Sequence, residues 1–161
     1  MGPNLEAQPA TTKPEIAYCE RFDRLYGSLG LNQAFTLVPT TLIMHAAEMG
    51  ISSVEFWVLT ILLHHMQAEP GGKLAIVSVA TIAKAIGFKP YAGKDGNRKV
   101  SYPGCRKALR KMKDPDRPGG PLIEVTTGAV EDDHRADLFD PSPALKKIEA
   151  FELSHPPDGA A

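Results

Sequence analysis

Positively charged side chains are concentrated in one part of this chain. Eleven of the 18 Lys and Arg residues lie between Lys84 and Arg117, a window that also contains three aspartates. The window therefore carries a net charge of +8, and because the whole protein carries −1, the remainder carries −9. Ammonium and guanidinium groups bind phosphate oxygens, and Arg also binds guanine edges. This distribution favours a nucleic acid as partner, and the alternative is that the charges only cover a solvated helix face.

The densest part of this window has the pattern of an amphipathic helix. Its apolar residues recur at i, i+3, i+4 and i+7 and form one stripe: Cys105, Ala108, Leu109 and Met112. The opposite and flanking positions hold Pro103, Arg106, Lys107, Arg110 and Lys111. Ser101 is a candidate N-cap for this helix and Pro103 suits its first position. The sequence therefore predicts a helix with a buried face and a basic face.

Two further helices are predicted before the basic one. Ser52 and Glu55 have the spacing of a capping box, which indicates a helix from about Ser53 to Gln67 with Trp57 in the core. Before it, the segment TLIMHAAEM is predicted to be helical up to Gly50.

A short strand and a short helix are predicted to follow. The strand covers Lys73 to Val77. Ser78 is placed to cap the next helix, and Gly87 is placed to end it in the left-handed conformation. The polar segment Lys89 to Val100 is then predicted to be a loop.

A β-hairpin and a last helix are predicted after the basic helix. The hairpin has strands Leu122–Thr126 and Arg135–Phe139, with its tip at Thr127–His134. Ser142 and Pro143 begin the last amphipathic helix. The tip of the hairpin is acidic, with Glu131, Asp132, Asp133 and Asp137 accompanied only by Arg135. Because phosphates would repel these carboxylates, we do not expect the hairpin to lie along a DNA backbone.

The order of these elements resembles a winged helix-turn-helix domain of phage, plasmid and mobile-element proteins, including the N-terminal domains of plasmid replication initiators. The segments that carry the resemblance run from Phe35 to about Phe151: FTLVPTTLI, SSVEFWVLTILL, VSVATIAKAIGF, YPGCRKALRKMK and PLIEV. The resemblance implies a mainly α fold with a small β-hairpin, and DNA binding without catalysis. It also implies that the basic helix enters the major groove. The loop Lys89 to Val100 is a departure, because the usual turn has three or four residues.

The expected function is sequence-specific binding of double-stranded DNA, as a transcriptional regulator of a mobile element. The residues expected to contact DNA are Lys94, Arg98, Lys99, Ser101, Tyr102, Arg106, Lys107, Arg110 and Lys111. We expect the long loop to become ordered on phosphates beside the site. One alternative is a DNA-binding protein of plasmid or phage replication initiation or partition. Another is a protein-interaction module that uses the basic face to bind an acidic protein.

One domain with mobile ends is expected. Residues 1–14 are predicted to be an N-terminal arm, 15–153 the winged helix-turn-helix domain with flanking helices, and 154–161 a tail. Because one recognition helix reads only a few base pairs, a homodimer is expected. The helices Glu15–Leu29 and Pro143–Leu153 are candidate dimer surfaces, with the equal alternative that they cover the monomer's own core.

No catalytic, cofactor or metal site is predicted. No set of acid, base and nucleophile stands out. The adjacent His64 and His65 point about 100° apart on a helix, which suits a metal poorly. Cys105 is predicted to be a core residue and not a redox sensor. With no signal-peptide pattern and no run long enough to span a membrane, we expect a cytoplasmic, nucleoid-associated protein without a membrane partner.

Overall fold

The structure, a computed structural model, describes residues 36–69, 71–93, 100–126 and 132–156. The described residues form five helices: α1 (Thr40–His45), α2 (Ser53–Ala68), α3 (Val79–Ile86), α4 (Pro103–Lys113) and α5 (Ser142–Ser154). They also form five strands: β1 (Ala75–Ser78), β2 (Tyr91–Ala92), β3 (Val100–Ser101), β4 (Glu124–Val125) and β5 (Ala136–Asp140). The predicted arm 1–14, the helix Glu15–Leu29 and most of the tail lie outside the described residues.

Local capping explains where α2 and α3 begin and end. Ser52 Oγ accepts from the Glu55 N–H at 3.3 Å, and Glu55 Oε1 accepts from the Ser52 N–H at 3.2 Å, so the capping box is confirmed. Ser78 Oγ accepts from the Thr81 N–H at 3.1 Å at the start of α3. Gly87 ends α3 with φ at +93°, a conformation that glycine adopts without steric cost.

α1 is shorter than predicted. It ends at His45, and the chain turns through residues 46–50 instead of remaining helical. Gly50 has φ at +71° at the end of this turn. The Ile51 N–H then donates to the Ala46 carbonyl at 2.8 Å, which leads the chain directly into the cap of α2.

The main sheet has three antiparallel strands in the order β1, β5, β4. Ala75 pairs with Phe139 and Ser78 with Ala136, while Val125 pairs with Phe139 from the other side. The predicted hairpin is therefore present as β4 and β5, although β4 has only two residues. The strand predicted at Lys73–Val77 is β1, shifted to Ala75–Ser78.

A second, two-stranded ribbon lies where a plain loop was predicted. Tyr91 pairs with Ser101 and Ala92 with Val100, so both ends of the expected loop Lys89–Val100 are held together. Ser101 Oγ also donates to the Tyr91 carbonyl at 3.4 Å. The described ends of the segment between α3 and α4 are therefore paired strands and not a plain loop.

One apolar core joins the described elements. α2 and α3 both pack against α4, and α2 packs against β1. The largest fully buried side chains come from helices, strands and the segments between them: Leu42, Leu59, Leu62, Ile82, Met112, Leu122, Ile123 and Phe139. α5 adds Ala144 and Ile148 to this core.

Trp57 is not in the core, contrary to prediction. Its side chain is 56% exposed. α2 buries Val58, Leu59, Leu62 and Leu63, and at about 100° per residue Trp57 lies on the opposite side of the helix. α2 thus has apolar residues on two faces, and within residues 36–156 as described one of these faces is buried while the other includes the exposed Trp57.

The described fold is mixed α/β, with five helices and a small antiparallel sheet. The sequence predicted the helices and the hairpin, and the structure adds the ribbon and the pairing of β1 with β5. Within the described residues, no helix has both the length and the apolar character required to cross a membrane.

Candidate nucleic-acid interface

α4 separates an apolar face from a basic face, as predicted. Cys105, Leu109 and Met112 are buried, while Ala108 is half-buried. Pro103 is the first residue of α4, where its missing N–H is not needed. The burial of the stripe against α2 and α3 turns the other side of α4 to solvent.

Lys107, Arg110 and Lys111 are exposed on that other side. Their spacing places them on adjacent positions of one helix surface. None of them forms an ion pair with a carboxylate of the described residues. These three side chains, called the α4 basic face below, are therefore available to an anionic partner.

Arg106 does not belong to the α4 basic face, although it was predicted to contact DNA. Its guanidinium forms an ion pair with the buried carboxylate of Asp133, and Arg106 Nε donates to Asp133 Oδ1 at 2.9 Å. The Arg106 side chain is 24% exposed. A charge held in this way stabilises the position of α4 and is not available to bind phosphate.

Ser101 and Tyr102 also differ from their predicted roles. Ser101 lies in β3 and does not cap α4; the N-cap is Tyr102, without a side-chain cap hydrogen bond. The Tyr102 N–H instead donates to Asp133 Oδ2 at 2.7 Å. The Tyr102 side chain is 5% exposed, so its ring is part of the core and not of a DNA-contacting surface.

The remaining predicted contact residues, Lys94, Arg98 and Lys99, lie outside the described residues. The ribbon β2–β3 flanks the segment that contains them and connects it directly to the N-terminal end of α4. Their expected role in binding phosphate stays a prediction.

The acidity of the hairpin was misjudged from the sequence. Asp133 and Asp137 are 3% and 0% exposed, so two of the four acidic side chains on which that expectation rests do not face solvent. Asp132 is exposed, and Glu131 lies outside the described residues. The repulsion expected between this hairpin and phosphates is correspondingly reduced.

Arg117, at the end of the basic window, has a structural role that sequence reasoning missed. Its Nε donates to Glu55 Oε2 at 2.8 Å, and its other nitrogens donate to the carbonyls of Gly50 (2.7 Å), Pro118 and Gly120 (both 3.0 Å). The guanidinium thus holds the turn after α4 against the start of α2. One signal for this contact was available in the sequence. The capping box uses only one carboxylate oxygen of Glu55, so the second oxygen can accept a hydrogen bond from another residue.

The Arg117 guanidinium contributes to lowering the pKa of two neighbouring side chains, Glu55 and Lys147. Burial alone would raise the pKa of Glu55, but hydrogen bonds from Arg117 and Ser52 outweigh it and leave the pKa lowered. Lys147, whose Nζ donates to the Gly119 carbonyl at 2.7 Å, has a lowered pKa because of burial and the nearby positive charge of Arg117.

Cys105 is a core residue, as predicted. Burial, with a smaller contribution from the negative charge of Asp133, raises the pKa of its thiol to about 12. The thiol faces the Val79 carbonyl at 3.9 Å. A thiol with this pKa is not ionised at neutral pH, and the thiolate is the nucleophilic form.

A groove of about 580 Å³ lies beside the α4 basic face, between α4 and the start of α2. Lys107 and Lys111 line one side of it, and Val54 and Glu55 line another. Its floor includes Gly104, where an added Cβ would lie 3.1 Å from the Phe88 ring. The absence of a side chain at Gly104 lets Phe88 pack close to α4.

The described residues contain no cluster of three or more His, Cys, Asp or Glu that could hold a metal ion. His64 and His65 face different ways, and His64 Nδ1 contacts Thr36 Oγ1 at 2.8 Å. The pKa of His65 is lowered by burial and by the neighbouring His64. Comparison of the chain with protein families, curated proteins and solved structures gives no match.

Proposed function

We propose that this protein binds double-stranded DNA in a sequence-specific manner, with α4 in the major groove. The observation that carries the proposal is the α4 basic face: Lys107, Arg110 and Lys111 are exposed and without an ion-pair partner among the described residues. The major groove of B-DNA is about 12 Å wide and admits an α-helix with its side chains.

The connectivity supports a winged helix-turn-helix arrangement. The order of the elements along the chain, α2, β1, α3, α4, β4, β5, is the one that the sequence resemblance implies, and in the sheet β5 lies between β1 and β4. In this proposal α3 braces α4, and the hairpin β4–β5 is the wing. The ribbon β2–β3 is an addition between the two helices of the pair.

We assign different roles in DNA binding to the three side chains of the α4 basic face. Arg110 is the candidate for reading guanine, because its guanidinium can donate two hydrogen bonds to the O6 and N7 atoms of that base. Lys107 and Lys111 are one helical turn apart and are assigned to phosphates. We extend the phosphate role to Lys94, Arg98 and Lys99, as the sequence predicted.

The process that this binding serves is proposed from the sequence resemblance alone. We propose regulation of transcription in a mobile element. Genome-wide footprinting tests it: an isolated palindrome at a promoter is the expected site. Direct repeats beside a replication origin would instead indicate initiation or partition.

The experiment is a salt titration of duplex DNA binding, measured by fluorescence anisotropy. If four to six phosphates are contacted per protomer, log K against log salt has a slope of about −4 to −5. The variant Lys107→Ala/Arg110→Ala/Lys111→Ala should flatten this slope by about 2 to 3. The control variant Lys73→Ala/Lys146→Ala removes exposed lysines outside the window and should leave the slope unchanged.

Two results would contradict the proposal. The first is a slope near zero for the unaltered protein, because phosphate contacts always release counterions. The second is a triple variant that binds DNA as the control variant does. Circular dichroism of each variant shows that the fold is intact, so lost binding is not mistaken for unfolding.

A further inference from the structure

The face of α2 that points away from the core carries an apolar stripe. Its members follow one another at spacings of three and four residues: Val54, Trp57, Ile61, His64 and Ala68. This is the spacing at which one helix packs along another. The stripe lies opposite the buried residues Val58, Leu59, Leu62 and Leu63 and covers the full length of α2, about 24 Å.

The α2 stripe is exposed in the described part of the chain except at Ile61, which is half-buried and packs partly against the core. Val54 is 38% exposed, Trp57 56%, and His64 and Ala68 are also exposed. Leu37, 79% exposed, extends the apolar surface at the end of α2, where its backbone exchanges two hydrogen bonds with Gln67 (2.9 and 2.7 Å). An exposed tryptophan within a continuous apolar surface is typical of an interaction site.

We propose that the α2 stripe is the interface through which two copies of this chain form a dimer, with their α2 helices antiparallel about a two-fold axis near Ile61. The stripe is nearly symmetric about that residue. Val54 and Ala68 lie seven residues to either side, while Trp57 lies four before and His64 three after. The two-fold axis therefore places each Val54 beside the partner's Ala68, and each Trp57 beside the partner's His64.

The charge of the stripe favours a second copy over a charged partner. No Lys, Arg, Asp or Glu lies on the stripe or on the neighbouring positions Ser53, Thr60 and Gln67. In a two-fold contact the same surface of both copies meets, so like charges on that surface would repel each other, and the stripe carries none. An acidic or basic partner protein would find no opposite charge on the stripe itself, although Lys107 and Lys111 line a groove together with Val54 at one end of it. Antiparallel helices also align their dipoles favourably.

This interface differs from the surfaces that the sequence indicated. The apolar side of α5 is used within the monomer, because Ala144 and Ile148 are buried and Leu145 and Phe151 pack against the core. The other candidate, Glu15–Leu29, lies outside the described residues. The inference does not depend on DNA binding, since dimer formation is measured on the protein alone.

The test is sedimentation velocity of the full chain without DNA, from about 1 to 100 µM, a range that spans the Kd of a modest interface. The mass should rise from 17.4 kDa towards twice that value. Trp57 is the only tryptophan, so its emission maximum should shift to shorter wavelength over the same concentrations. Trp57→Ala and Trp57→Glu should each raise the dimer Kd by at least about 30-fold, as expected for a central interface tryptophan.

Met44→Glu is the matched control, because Met44 is 67% exposed on α1 and does not belong to the stripe. It should leave the dimer Kd unchanged. A protein that remains monomeric at every concentration would overturn the proposal. This also holds if the Trp57 emission of that monomer is already blue-shifted in dilute solution. A dimer that forms equally well in both Trp57 variants would also overturn it, since another surface would then be responsible.

Discussion

At the residue scale, two arginines of one basic window have different roles. Arg110 projects from α4 into solvent, while Arg117 donates hydrogen bonds to Glu55 and to three carbonyl groups. Their side chains are chemically identical, so the difference comes only from their surroundings. Counting charges in the sequence therefore overestimated the surface available to an anionic partner by including Arg106 and Arg117.

We expect Glu55→Gln to lower the free energy of unfolding at pH 7 by about 1 to 3 kcal/mol, the contribution of a hydrogen bond to a charged group. The folded-state pKa of Glu55 is lowered, so the unfolded chain binds the proton first as the pH falls. The stabilisation is complete above the ordinary glutamate pKa of about 4.3 and is lost as the pH falls through the lowered pKa.

Urea unfolding at several pH values checks this expectation, with Glu124→Gln, an exposed residue of β4, as the control. The difference between the unaltered protein and Glu55→Gln should shrink towards zero in acid. A difference that is the same at pH 7 and pH 3 would show that the carboxylate's charge is not what stabilises the contact with Arg117.

At the element scale, α4 has one face that packs in the core and one face that we propose binds DNA. Its buried residues attach it to α2 and α3, and its N-terminal end is held by Asp133. This attachment gives the α4 basic face a fixed orientation, which sequence-specific recognition requires. Neighbouring residues on α4 should consequently respond differently to substitution.

We expect Arg110→Ala to weaken specific DNA binding by about 1 to 3 kcal/mol and to relax base preference, with little change in Tm. Leu109→Ala should instead lower the free energy of unfolding by about 2 to 5 kcal/mol, because Leu109 is 3% exposed and its loss leaves a cavity. Thermal unfolding and anisotropy with matched and mismatched duplexes measure the two effects. If Arg110→Ala unfolded the protein while Leu109→Ala did not, the assignment of the two faces would be reversed.

At the scale of the whole molecule, Asp133 connects elements that are far apart in the chain. Its carbonyl accepts from the Ala80 N–H of α3 at 2.7 Å, and its carboxylate accepts from Tyr102 and Arg106 at the start of α4. Close by, His134 Nε2 contacts the Val100 carbonyl of the ribbon at 2.7 Å. The approach to β5 thus holds both helices of the proposed helix-turn-helix pair.

We expect Asp133→Ala to lower the free energy of unfolding by about 3 to 5 kcal/mol, because it leaves the partly buried Arg106 without its carboxylate. Asp132→Ala is the matched control: Asp132 is exposed, and its carboxylate accepts a local hydrogen bond from the His134 N–H at 3.0 Å. Urea denaturation of the two variants makes the comparison. Equal stability of both would mean that Asp133 does not join α3 and α4.

Much of the secondary structure was predictable from nearby residues. The sequence patterns agree with the structure at the start of α2, at both ends of α3, and at the first residue and the apolar stripe of α4. Capping and helical periodicity act over at most about four residues, so the sequence contains the information locally. The ribbon β2–β3 was not predictable in this way, because two-residue strands carry no periodicity.

The sequence by itself determined where the charge lies along the chain, which helix carries it, and which side of that helix faces the core. Only the tertiary structure decided which charged side chains reach solvent. The partners of Arg106 and Arg117 are 27 and 62 residues away, and no local pattern links such distant positions. The same holds for Trp57: its exposure depends on which of the two apolar faces of α2 the rest of the chain covers, because burial is a property of packing and not of sequence spacing.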